Sequence, residues 1–317
     1  MDRQLPSVIY SGQHAKDERS GKMKTIDIIG VQMDLGASRR GVNMGPMAIR
    51  CSGLCEELEE LGFAVNDLGD IAPLASGATA PYMRNYEQVI ELNTRLYSMV
   101  FSALEKNHFP LVLGGDHSIA AGSISAAARY YRKIGVIWID AHGDWNNEES
   151  TPSGNMHGMP FSALCGHGPD CMVDFGGEPV LVDVTRCVQI GGRDIDSKER
   201  LRMKRAGVTV FPINVIDKTG MQNVIDQAIE IAGTDTEGIH LSFDIDAIDP
   251  QAAPGTGTVV HSGLTAREAF LAVESIAESG KLLSMDMVEV NPILDERNKT
   301  AVLASRIIQS ALGKAVY

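Results

Sequence analysis

Asp140, His142 and Asp144 stand at every second position directly after the apolar run Val136-Ile137-Trp138-Ile139. The run has the β-branched, uncharged character of a buried strand. Side chains alternate faces along an extended chain, so all three polar groups can turn the same way. Two carboxylates and an imidazole converging past a buried strand describe a metal site or a catalytic cluster. Similar groups follow other apolar runs. His117 comes after Phe109-Pro110-Leu111-Val112-Leu113 by way of Gly114-Gly115-Asp116, and Asp244 and Asp246 repeat the two-residue spacing after 238–243. Together these are four carboxylates and two imidazoles, too many for one closed zinc site, and no thiolate is among them. Oxygen donors with two imidazoles suit Mn²⁺, with Fe²⁺ or Co²⁺ as substitutes. Carboxylates shared between two such ions would hold them about 3.5–4 Å apart, and a water between them would lose a proton near neutral pH.

The elements that must position these groups alternate strand and helix. Strands are expected at 25–31, 63–67, 109–113, 136–140, 180–182, 187–190, 208–211, 238–243 and 282–290, the last ending near Glu289. Helices are expected from Pro46 to about Leu61, over 84–106 with Val89, Leu92, Leu96, Val100 and Leu104 on one face, and over 118–132, 197–206, 220–232, 265–279 and 297–312. Loops rich in Gly, Pro and polar residues occupy 71–83, 145–177 and 250–263; one as long as 145–177 is usually functional. The pattern predicts one α/β domain over 23–317, built on a mainly parallel sheet covered on both faces. Residues 1–22 are polar and read as an N-terminal extension. Sites in open α/β sheets gather at the carboxyl ends of strands, so one site can collect every polar cluster.

The chain has 317 residues, 44% of them hydrophobic, enough for a substantial core. With 28 basic against 41 acidic residues the formal charge is -13, which argues against nucleic-acid and anionic-membrane partners. The five cysteines, Cys51, Cys55, Cys165, Cys171 and Cys187, show no CxxC spacing and read as reduced thiols of a cytoplasmic protein. No apolar stretch approaches the roughly 18 residues of a membrane helix, and no signal-peptide core opens the chain.

The segments Gly114-Gly115-Asp116-His117-Ser118, Asp140-Ala141-His142-Gly143-Asp144 and Ser242-Phe243-Asp244-Ile245-Asp246-Ala247-Ile248-Asp249-Pro250 resemble the signatures of the ureohydrolase (arginase/agmatinase) family. The similarity extends from about Met23 to the C-terminus. It is strongest toward the arginase branch through Met33-Asp34-Leu35-Gly36, Arg39-Arg40-Gly41-Val42, Ser153-Gly154-Asn155-Met156-His157-Gly158, Gly192-Arg193-Asp194-Ile195-Asp196 and Met287-Val288-Glu289-Val290-Asn291-Pro292. The resemblance implies a three-layer α/β/α fold, a two-manganese centre, hydrolysis of arginine to ornithine and urea, and homotrimers or homohexamers.

The same resemblance assigns roles. Glu289 matches the residue facing the guanidinium, a planar and always charged group that suits paired hydrogen bonds to a carboxylate. Asp144 is placed to take the proton of the attacking water and pass it to the leaving amine. His157, on the long loop, can shuttle protons near neutral pH. Asn146, Ser153 and Asn155 match the positions that hold an α-carboxylate. Asp196 matches the one facing the α-amino group, with Asp194 beside it in the substrate set, and Thr258 lies near the guanidinium pocket. One departure stands out. After Gly257-Thr258 the family loop continues with Pro and a Gly-Gly pair, whereas here Val259-Val260-His261-Ser262-Gly263 follows. Other readings are an agmatinase or a guanidino-acid hydrolase such as a guanidinobutyrase, and a catalytically silent metal-binding protein on the same fold. A bimetal phosphoesterase would need a cationic phosphate clamp, and no such cluster flanks these strand ends.

Overall fold

The structure, a computed structural model, describes residues 24–74, 82–175 and 178–315. The polar extension at 1–22 and most of the loop expected at 71–83 lie outside the described residues. In chain order the elements are β1 (Thr25–Val31), α1 (Gly45–Arg50), α2 (Leu54–Glu60), β2 (Ala64–Ile71), α3 (Tyr86–Glu105), β3 (Phe109–Leu113), α4 (Ala120–Tyr131), β4 (Gly135–Ile139) and α5 (Pro160–Leu164). They continue with β5 (Cys187–Ile190), α6 (Ser197–Ala206), β6 (Thr209–Phe211), α7 (Ile213–Thr219), α8 (Met221–Gly233), β7 (Ile239–Asp244), α9 (Ala266–Glu278), β8 (Leu282–Val288) and α10 (Lys299–Ala311).

All eight strands pair in parallel, in the order β2-β1-β3-β8-β7-β4-β5-β6. Parallel strands carry helices on both faces and are therefore apolar on both. In β4, Ile137 and Ile139 pack on the layer of α1, α2, α8, α9 and α10, while Val136 and Trp138 pack on the layer of α3, α4 and α5. The architecture is the three-layer α/β/α sandwich expected from the alternation. The face of α3 formed by Val89, Leu92, Leu96, Val100 and Leu104 is buried as its spacing predicts. No helix among the described residues is long and apolar enough to cross a membrane.

Four expectations change. The helix expected from Pro46 to Leu61 breaks at Cys51–Gly53, where Gly53 takes a left-handed conformation with φ +79 as the residue before α2. The segment 180–182 is not a strand; among the described residues it has no ladder partner. Helix α7 was not expected, because seven residues between Pro212 and Gly220 are too few to show a period. The long segment 145–177 is not wholly irregular, since α5 lies within it.

Close packing of β4 on α8 gives a stability test. A Cβ added at Gly135 would lie 2.0 Å from the Ala232 carbonyl oxygen of α8, a backbone atom that cannot rotate away. Gly135→Ala should lower the unfolding free energy by about 1–3 kcal/mol, the usual effect of overpacking. The measurement is the urea midpoint at unchanged m-value. An unaltered midpoint would show that the end of α8 yields freely.

Candidate metal centre and cavity

The sheet order makes β3, β8, β7 and β4 consecutive neighbours. Their carboxyl ends therefore deliver His117, Glu289, Asp244 with Asp246, and Asp140 with His142 and Asp144 to one place. His117 sits on a single helical turn capped by Asp116, whose carboxylate accepts the Ser118 N–H at 3.1 Å. Gly115 is required there. A Cβ would stand 1.7 Å from the Met33 carbonyl oxygen where the chain crosses the exit of β1.

The convergence after β4 comes from a turn, not from the extended alternation expected. The strand stops at Ile139, and the Asp140 carboxylate accepts the His142 backbone N–H at 2.7 Å, so the chain folds back. Asp144 reaches the cluster with φ +47, and Glu289 turns inward from the end of β8 with φ +63. Both are left-handed conformations unfavourable to L residues, of a kind that persists where surrounding structure enforces it.

His117 Nδ1 lies 3.1 Å from Asp140 Oδ2, 3.2 Å from Asp144 Oδ2 and 3.2 Å from Asp244 Oδ2. None of these contacts has hydrogen-bond geometry, so the nitrogen is orphaned among three carboxylate oxygens. His142 Nδ1 lies 3.0 Å from Asp246 Oδ2 and 3.3 Å from Asp140 Oδ1. The ligand atoms of His117, Asp140 and Asp244 form one compact group and those of Asp140, His142 and Asp246 another, with Asp140 common to both.

The electrostatics point the same way. Burial, with the charges of Asp246 and Asp140, holds Asp244 well above the ordinary carboxylate range. Burial and Asp140 push Asp144 up to about 6. Asp140 is held low, because the two imidazoles outweigh its own burial. Buried carboxylates this close cannot all ionise in a dry protein, and divalent cations would remove the conflict. The residues present fit a metal centre.

Above the cluster opens a cavity of about 380 Å³. His142, Asp144, Asp244 and Asp246 form its floor, while His117 and Asp140 lie fully buried beneath. Asn146, His157 and Glu289 line the walls with Ser153 and Asn155. Asp194, Asp196 and Thr258 stand at the exposed rim. Glu289 Oε1 accepts from the His117 backbone N–H and meets His157 Nδ1, each at 3.0 Å, and Oε2 is buried without a partner. Burial opposes a charge on His157, but Glu289 outweighs it and lifts the imidazole to about 9.

The sequence profile of the arginase family matches residues 24–313. The chain belongs to this family. It is 44% identical over 297 residues to the arginase of Bacillus caldovelox, covering 92% of this chain and 99% of that one. The crystal structure of arginase from Bacillus cereus superposes with a TM-score of 0.88 at 45% identity, covering 93% of this chain and all of that one. The arginase of Entamoeba histolytica, solved in complex with L-ornithine, gives 0.85 at 30% identity, covering 92% and 98%. The chain is accordingly an arginase-type ureohydrolase, a hydrolase acting on a guanidino group, with His and Asp groups that could hold metal.

The structure adds residues that spacing alone did not single out. Trp138 stacks between the His117 ring, with centroids 4.0 Å apart, and Phe161, at 4.7 Å, and its indole N–H donates to Asp140 Oδ2 at 2.9 Å. Ser242 Oγ lies 2.9 Å from His117 Nε2 and can accept its N–H in the tautomer that leaves Nδ1 free to ligate. Glu199 accepts the backbone N–H groups of Trp145 and Asp196 at 2.7 and 3.1 Å and is pushed by burial to about 8. Trp138 was legible only as an apolar strand residue; Glu199 stands three residues after Asp196, a spacing that reads as a helix capping box and not as part of a site.

A cation that binds only the folded state stabilises it, by about 2.7 kcal/mol at a hundred times its Kd. Adding Mn²⁺ to chelator-treated protein should therefore raise Tm, and His117→Asn should shrink that rise. Equal melting with and without Mn²⁺ would remove the metal assignment.

Proposed function

We propose that the chain hydrolyses the guanidinium group of L-arginine to L-ornithine and urea, with two Mn²⁺ ions as cofactor and Fe²⁺ or Co²⁺ as substitutes. The ligands in this reading are His117, Asp140, His142, Asp144, Asp244 and Asp246. The observation that carries it is Glu289 Oε2, a buried acceptor without a donor in the cavity wall beside the metal cluster. A buried carboxylate oxygen left unpaired is costly, and a guanidinium N–H supplies the missing charge-assisted bond. The walls suit the other end of an amino acid: Asn146, Ser153 and Asn155 offer neutral donors to a carboxylate, while Asp194 and Asp196 offer negative charge to an ammonium group. The L-ornithine bound to the Entamoeba relative supports the same head group here.

When bound, the ions supply Lewis acidity and make water a nucleophile near neutral pH. The chain supplies the rest. Glu289 orients the guanidinium over the floor of the cavity, with Thr258 beside it. Asp144 takes the proton released in the attack and passes it to the leaving amine. His157, protonated below about pH 9 through its contact with Glu289, carries protons between the cavity and solvent. The reading also takes 23–317 as one catalytic unit with 1–22 as an extension, and the protein as a cytoplasmic homotrimer or homohexamer.

Agmatine lacks the carboxylate and guanidinobutyrate lacks the α-amino group. A site whose polar groups would be left unpaired rejects such analogues, so L-arginine should exceed both in kcat/KM by at least about a hundredfold with Mn²⁺. Faster turnover of either analogue would move the assignment to an agmatinase or guanidinobutyrase. His157→Asn should lower kcat by roughly 10²–10⁴-fold at unchanged metal content. Full activity in that variant would take His157 out of the mechanism.

A further inference from the structure

A primary amide has two unlike ends: its carbonyl oxygen repels a carboxylate and its NH₂ group binds one. Two amides, Asn146 and Asn155, line the cavity, and which end each presents is set by neighbours. Asn146 Oδ1 accepts from the Ser150 hydroxyl at 2.9 Å. Ser150 Oγ in turn accepts the Asn147 backbone N–H at 3.0 Å. That N–H can only donate, so the hydroxyl proton is left to point at Asn146. The Asn147 side chain holds Ser150 in place, its Oδ1 accepting the backbone N–H groups of Glu149 and Ser150 at 3.2 and 3.0 Å.

Asn155 repeats the device on the other side of the loop. Its Oδ1 accepts from Ser38 Oγ at 3.0 Å, and Ser38 Oγ accepts from Arg84 Nη1 at 3.1 Å, again a group that can only donate. Arg84 also donates its backbone N–H to the Gly154 carbonyl at 2.9 Å, which fixes the loop beside Asn155. In each case a fixed donor feeds a serine hydroxyl, the hydroxyl feeds the amide oxygen, and the NH₂ end is left for the cavity. Asn146 is buried, whereas Ser38 and Arg84 are exposed, so the Ser150 branch carries the larger effect.

We propose that Ser150, and Ser38 together with Arg84, are positioning residues that fix the polarity of Asn146 and Asn155 and so make this wall selective for a ligand carboxylate. The proposal rests on the L-arginine reading given above. Loss of the Ser150 hydroxyl leaves the Asn146 carbonyl without its donor, and the amide is then free to turn that carbonyl toward the ligand.

The test uses the full chain loaded with Mn²⁺. Ser150→Ala should raise KM for L-arginine and the calorimetric Kd for L-ornithine by about 3- to 10-fold, the scale of one hydrogen bond. The change in kcat should be smaller. KM for agmatine and Kd for putrescine, which lack the carboxylate, should not follow. Ser150→Thr, which keeps a hydroxyl, should restore the affinity for L-ornithine, and Ser38→Ala should shift it in the same direction by less. Equal shifts for L-ornithine and putrescine, or no shift for L-ornithine, would overturn the relay. A wild-type chain without preference for L-arginine over agmatine would overturn the substrate reading itself, and the relay with it.

Discussion

The Asp140 carboxylate has no exposure to solvent, and a buried charge of this kind persists only where every lone pair has an answer. Each oxygen accepts one hydrogen bond, and two imidazoles stand close by. The Trp138 indole donates to one oxygen, the His142 backbone N–H to the other, and the two imidazoles stand at 3.1 and 3.3 Å. The turn that carries Asp140 is itself tied down, since the Gln189 amide donates to the carbonyls of Asp140 and His142 at 2.9 and 2.8 Å. The Ala141 N–H reaches Asp246 Oδ1 at 3.2 Å and so joins the turns after β4 and β7. Because Asp140 belongs to both candidate ligand groups, displacing it would disorganise both. The interior placement of β4 is what lets neighbours on either side supply these bonds.

Rigidity beneath the cluster is achieved by stacking as much as by hydrogen bonding. His117, Trp138 and Phe161 lie nearly parallel, with interplanar angles of 13° and 5°. This packs the His117 imidazole against the core layer of α3, α4 and α5. The left-handed conformations of Asp144 and Glu289 have a cost of order 1–3 kcal/mol each. That cost is offset locally: the Glu289 N–H donates to the Gly115 carbonyl at 2.8 Å, and the Asp144 carbonyl accepts the Ser162 N–H at 3.2 Å. The strain and the ladder around it place two acidic side chains inside the cavity that a regular strand continuation would have sent elsewhere.

Much of this was legible because the strand ends carry their chemistry in short local patterns. Asp140, His142, Asp244 and Asp246 announce themselves by spacing, and His117 by the glycine pair before it. The periodicity of α3 and the β-branched runs of β1 and β4 gave those elements with small errors at their ends. Two kinds of information were not local. Strand order, which makes β3, β8, β7 and β4 neighbours, follows from packing over the whole chain, so the convergence could be expected but not built. Side-chain polarity was hidden as well. Neither Ser150 nor Arg84 belongs to a motif, and their relation to Asn146 and Asn155 exists only once the loop from Asp144 to His157 is folded. The splitting of the first helix at Gly53 was missed for a simpler reason: one glycine inside an apolar period is compatible with a continuous helix.

The unusual sequence after Thr258 can be weighed in the same terms. It raised the question of whether the cavity rim is altered by Val259, Val260, His261 and Ser262. Among the described residues the cavity wall includes Gly257 and Thr258 and stops there, and Val259 faces solvent at 41% exposure. The backbone of the segment is held by side chains, the Asp249 carboxylate accepting the Gly263 N–H at 3.1 Å. Arg193 donates from Nη2 to the Val260 carbonyl at 2.8 Å and from Nε to that of His261 at 3.2 Å, while also binding the carbonyls of Asp246 and Ala247 at 2.7 and 3.0 Å. The same guanidinium thus fastens the rim loop to the turn that carries two of the acidic groups of the cluster. Its bonds go to main-chain oxygens, so they are indifferent to the side chains that follow Thr258. Changes of residue type there alter the outer surface of the loop, while the path of the chain past the cavity depends on Arg193.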